Sequence, residues 1–68
     1  MNYQFTIIVP VYNEEANLKR VEKELSDYIK IASKKTKILF VNDGSKDNSQ
    51  QLIEEICANS PDFDFINF

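Results

Sequence analysis

The stretch Ile38-Leu39-Phe40-Val41-Asn42-Asp43-Gly44-Ser45-Lys46-Asp47-Asn48-Ser49 passes from unbroken apolar side chains to unbroken polar turn formers at one point. An apolar run of strand length without polar alternation belongs to a strand covered on both faces, the environment of a parallel sheet. The residues after it redirect the chain: Asp bonds its own backbone, Gly takes positive φ without a Cβ penalty, and Ser caps the next segment. Asp47 followed three residues later by Gln50 predicts a capping box, and Leu52, Ile53, Ile56 and Cys57 continue at helical spacing until Asn59-Ser60-Pro61. Strand, turn and helix start therefore come one after another, which is the repeating unit of an α/β fold.

The same unit precedes this one. Phe5-Thr6-Ile7-Ile8-Val9 is a β-branched run that Pro10 is expected to stop. From Asn13 the pattern changes, with Leu18, Val21, Leu25, Ile29 and Ala32 at spacings of three and four and charged residues between them. The expected helix is capped by Asn13 or a near neighbour, with Glu14 and Glu15 in its positive first turn and Lys30, Lys34 and Lys35 towards its negative end. Phe63, Phe65, Ile66 and Phe68 form a third strand-like run that reaches the last residue.

The order is βαβαβ, half of a doubly wound, mainly parallel, Rossmann-like sheet with strand order 3-2-1. Right-handed crossovers in that order put both helices on one face, although the first two strands are apolar on both. The other face is then bare, and several hundred Å² of contiguous apolar surface calls for cover. Residues 1–68 are thus expected to be the N-terminal part of a larger domain, truncated within its third strand, or a unit that pairs through this face.

Composition narrows the function. The chain has 68 residues, 43% hydrophobic and 28% charged, a size that allows one domain at most. Its net charge of −3 offers no basic stripe to a phosphate backbone, which argues against nucleic acid. There is one cysteine and no histidine, so a Cys/His zinc site and an internal disulfide are excluded, and Cys57 reads as a small core residue in a reducing compartment. No apolar run approaches the ~20 residues that span a bilayer, and Met1 to Pro10 lacks the features of a signal peptide. Lys34-Lys35-Thr36-Lys37 reads as a solvated helix end ahead of an anionic-membrane contact.

In open α/β sheets, ligands bind at the carboxyl ends of the strands, here Pro10 to Glu15 and Asn42 to Ser45. A dinucleotide site needs a glycine-rich first turn, and the chain has a single glycine; a GxxxxGK phosphate loop fails for the same reason. What remains is Tyr12 after strand one and Asp43 after strand two, side by side in this order. An aromatic face stacks on a nucleobase, and a carboxylate accepts from the imino N–H of uracil or guanine, a donor absent from adenine and cytosine. Tyr12 as plain packing, and Asp43-Gly44-Ser45 as plain turn, are the structural alternatives. Glu15 reads first as a helix-dipole charge.

IIVPVYNEEANL, Ile7 to Leu18, followed by ILFVNDGSKDNS, Ile38 to Ser49, resembles the N-terminal region of family 2 glycosyltransferases of the GT-A fold. Pro61 to Phe68 also resembles the third strand of the polyprenol-phosphate glycosyltransferase branch, which works in cell-envelope polysaccharide synthesis. The resemblance implies that Pro10, Val11 and Tyr12 line a nucleoside pocket, with Glu14 at its rim and Asp43 bonded to the base. Family members often carry a second acid where this chain has Asn42. The implied activity is inverting sugar transfer from a UDP- or GDP-sugar to a lipid-phosphate or saccharide acceptor such as polyprenyl phosphate. Mg²⁺ or Mn²⁺ would serve the complete enzyme. The Asp-x-Asp metal motif and the catalytic base of the family come later than these residues, so no catalytic or metal-binding residue is expected among them. The implied location is cytoplasmic, with the complete protein at a membrane face through a C-terminal anchor. The alternative is a stand-alone nucleotide-binding half-domain that dimerises through its bare sheet face. A phospho-receiver domain ranks last, since its acids cluster at the ends of strands one and three.

Overall fold

The computed structural model describes residues 3–68. The elements are β1 (Phe5–Val11), α1 (Leu18–Ile31), β2 (Thr36–Asn42), α2 (Ser49–Asn59) and β3 (Phe63–Asn67). The three strands are parallel in the order β1-β2-β3, which is the expected 3-2-1 order read from the other edge.

Strand parity separates the two faces. On β2, Thr36, Ile38, Phe40 and Asn42 are buried, while Lys37, Leu39 and Val41 between them are only partly covered. Val11 of β1 and Phe63 of β3 share the buried face, where Leu18 of α1 and Ile53 and Ile56 of α2 complete the core. Phe40 is fully enclosed and stacks on Phe63 with ring centroids 5.9 Å apart. Both helices therefore lie on one side. The opposite face is bare as expected: Ile8, Ile66 and Phe68 are 63%, 44% and 79% exposed.

Several local readings change. Pro10 does not stop β1, which runs through it to Val11. The Val11 carbonyl points to β2 and accepts the Asp43 N–H at 2.9 Å. Pro10, one residue earlier, faces the open side of this edge strand, where a missing N–H breaks no ladder bond. Helix α1 starts at Leu18 rather than near Asn13, so Glu14 and Glu15 precede its first turn. The Glu14 carbonyl instead accepts from the N–H groups of Asn17 and Leu18, closing a turn ahead of the helix. Only Lys30 lies in the last turn of α1. Lys35 and Lys37 are engaged across the sheet, 3.6 Å from Asp62 and 3.5 Å from Asp64, rather than forming a solvated helix end.

Candidate functional site

The carboxyl ends of β1 and β2 are level, because Val11 is the register partner of Asn42. Tyr12 and Asp43, the next residue on each strand, thus stand at neighbouring ends, tied by the Asp43 N–H to Val11 carbonyl bond. Pro10, Tyr12, Glu14 and Asp43 are all exposed. Val11 is different: it is 2% exposed and belongs to the core, so its side chain supports the site from beneath. Glu14 accepts from the Asn17 side-chain amide at 3.1 Å. A cleft of about 190 Å³ lined by Ser26, Ile29, Lys30, Ser60, Asp62 and Phe63 opens at the other, amino-terminal end of the strands.

Asn42 is not at the ligand edge. It is buried, and parity places it beneath the sheet with Ile38 and Phe40. Its Oδ1 accepts the Ser45 N–H at 3.3 Å and its Nδ2 donates to Asn67 Oδ1 at 3.2 Å, so one amide fixes the turn and joins β2 to β3. Gly44, at φ +70°, occupies the left-handed region where other residues are strained, as the turn reading requires.

The two loops are stitched together by contacts that no local pattern announces. Three successive N–H groups, of Asn13, Glu14 and Glu15, donate to Ser45 Oγ at 3.0 Å, Ser49 Oγ at 2.9 Å and Asp47 Oδ2 at 3.2 Å. In return Asn13 Oδ1 accepts the Lys46 N–H at 2.8 Å, and the Glu15 carboxylate accepts both the N–H and the side-chain amide of Asn48 at 3.2 Å. Asn13 reaches this position with φ +52°, a left-handed conformation that Asn tolerates better than most residues.

The expected capping box is absent. Asp47 Oδ1 accepts the Ser49 N–H at 2.9 Å, and Gln50 bonds Glu54 along the helix instead of reaching back. Glu15 does serve a helix N-terminus, that of α2 rather than α1, through the N-cap residue Asn48. These hydrogen bonds, from Ser49 first, hold the Asp47 carboxyl below the ordinary carboxylate range against partial desolvation. Ser49, fully buried, could be singled out from sequence as a small polar residue opening an apolar helix face; its partner on the other loop could not.

A parallel α/β half-sheet without a glycine-rich phosphate loop, carrying an aromatic residue and an acid at adjacent strand ends, is a Rossmann-like segment. The glycosyl transferase family 2 pattern matches residues 6–68, and the chain belongs to that family. It is 37% identical over 65 residues, 96% of its length, to YkcC of Bacillus subtilis (strain 168), an uncharacterized glycosyltransferase. It is 38% identical over 53 residues, 78% of its length, to an undecaprenyl-phosphate 4-deoxy-4-formamido-L-arabinose transferase of Pseudomonas fluorescens (strain SBW25). To the dolichyl-phosphate beta-glucosyltransferase ALG5A of Trichomonas vaginalis it is 33% identical over 67 residues, 91% of its length. The chain spans only 20%, 16% and 21% of these relatives. No described helix is long and apolar enough to cross a membrane.

Proposed function

We propose that residues 1–68 are the nucleotide-binding part of an inverting glycosyltransferase that moves a sugar from a UDP- or GDP-sugar to an acceptor such as polyprenyl phosphate. The observation that carries this reading is the placement of Tyr12 and Asp43 at adjacent, level strand ends, both exposed and joined through the Asp43 N–H to Val11 carbonyl bond. In it Tyr12 stacks on the base, Asp43 accepts from the imino N–H, Pro10 and Glu14 edge the nucleoside, and Val11 forms the floor. Relatives named for undecaprenyl phosphate and dolichyl phosphate support a lipid-phosphate acceptor. Among the described residues no group of three His, Cys, Asp or Glu side chains is placed to hold a metal. In this reading Mg²⁺ or Mn²⁺ would serve the complete enzyme, and no step of the proposal is assigned to it.

Calorimetry with UDP, GDP and ADP on the wild-type gene product and on Asp43→Ala tests the base contact. The expected result is a preference for UDP or GDP over ADP that Asp43→Ala abolishes. Unchanged affinity and preference would remove Asp43 from the site. The bare sheet face supports a second reading, a half-domain that pairs through Ile8, Ile66 and Phe68 and binds nucleotide without chemistry. Sedimentation of the 68-residue chain separates the two, since a monomer at micromolar concentration excludes such pairing.

A further inference from the structure

Tyr12 and Asp43 sit on separate loops, and each loop by itself would sample many conformations at a cost in affinity. The bonds that join the loops run both ways: the Glu15 N–H donates to Asp47, and the Glu15 carboxylate takes the N–H and side-chain amide of Asn48. Asp47 also holds the first N–H of α2, so the clasp is anchored to a helix. Neither carboxylate is among the residues read as touching a nucleoside.

We infer that Glu15 and Asp47 are positioning residues for the nucleoside site: their interleaved hydrogen bonds lock the 12–15 turn against the 43–49 loop and set the separation of Tyr12 from Asp43. The inference rests on the nucleotide reading above and adds the device that preorganises it. Two carboxylates near a binding site for a diphosphate repel their ligand, so a role as simple charge predicts tighter binding on their removal. A role as clasp predicts the reverse.

The experiment is calorimetry of UDP, GDP and ADP with the wild-type gene product, Glu15→Ala, Glu15→Gln, Asp47→Ala and the double variant Asp43→Ala/Asp47→Ala. The Glu15→Gln side chain retains an acceptor for the Asn48 N–H, and its amide donates to Asn48 Oδ1 once that side chain flips. Glu15→Ala and Asp47→Ala are expected to weaken UDP or GDP binding about fivefold to tenfold, the range of one or two lost net hydrogen bonds. Preference over ADP should narrow with it, and Glu15→Gln should restore most of the loss. Loss of folded protein alone would lower the binding stoichiometry and leave base preference unchanged. In the double variant the Asp47 effect should shrink, because the clasp acts through Asp43. Should Asp47→Ala fail to fold, the Glu15→Ala and Glu15→Gln pair carries the same comparison. Wild-type binding that Glu15→Ala leaves equal or tighter, or a Glu15→Gln variant no better than Glu15→Ala, overturns the clasp and spares the nucleotide reading. Wild type that binds neither UDP nor GDP overturns the nucleotide reading itself, and the clasp falls with it.

Discussion

The side-chain amide of Asn42 donates to Asn67 Oδ1 at 3.2 Å while its own Oδ1 accepts the Ser45 N–H, so one buried residue links the end of β2, the end of β3 and the site loop. Replacement by Ala leaves the Ser45 N–H without its partner. Asn42→Ala is expected to cost about 1–3 kcal/mol, read as a fall in the urea midpoint without a change in slope. Asn42→Asp keeps the acceptor for Ser45, and a flipped Asn67 amide donates to the second oxygen. It should cost clearly less than Ala near neutral pH, and an equal cost would refute the bonding account.

The two sheet faces should respond differently to substitution. Phe40 is fully enclosed between the sheet and the helices and stacks on Phe63, so Phe40→Ala is expected to cost about 3–5 kcal/mol. A chain of 68 residues has roughly 3–10 kcal/mol in total, so this variant should lose a large share of its stability, read by circular dichroism as a lower urea midpoint. Ile8, 63% exposed on the bare face, has little to lose, and Ile8→Thr in the same chain should stay within about 0.5 kcal/mol of wild type. A large loss from Ile8→Thr would mean that this face is covered in solution.

Much of this contrast is legible in the sequence. Ile38 and Phe40 announce a covered strand by apolarity alone, and βαβαβ order with right-handed crossovers puts both helices on one side. Parity also assigns Asn42 to the face of Ile38 and Phe40, a signal that its polar character hides behind the ligand-edge reading. Pro10 misleads because one strand read alone does not reveal that its free side is a sheet edge. Glu15 misleads for a deeper reason: its partner Asn48 is 33 residues away, and nearby helix-dipole logic points to α1 while the folded loops deliver it to α2. Tyr12 and Asp43 are legible because strand order alone brings their positions together. The bonds that hold them there join residues 32 or 33 positions apart, beyond the reach of any local pattern.

Acid should loosen the clasp through Asp47. Hydrogen bonds from Ser49, then from backbone N–H groups including that of Glu15, hold its carboxyl below the ordinary 3.8. A carboxylate whose pKa is depressed in the folded state contributes fully above its unfolded value and loses that contribution as pH falls through the folded one. The stability gap between wild type and Asp47→Asn should therefore be constant above 3.8 and shrink below it. Thermal midpoints of both proteins, followed from about pH 6 downwards, measure it. A gap that persists undiminished in acid would show that protonation of Asp47 does not govern the clasp.

Cys57 should be an unreactive thiol in the folded chain and an ordinary one in the unfolded chain. It sits on α2 packed beside the core, where desolvation, then the nearby Asp64 carboxylate, push its pKa from 9.0 up to about 11, with Lys37 partly offsetting the rise. The thiolate is the nucleophile, so a rise from 9.0 to about 11 leaves roughly a hundredfold less of it at a given pH below 9. Iodoacetamide at about pH 8 should alkylate the native chain far more slowly than the same chain in urea, with the native rate rising steadily through about pH 9 and 10. Lys37→Ala should slow the native reaction further, because it removes a charge that favours the thiolate. Asp64→Asn should speed it. Equal rates in native buffer and urea would mean that Cys57 is open to solvent as an ordinary thiol.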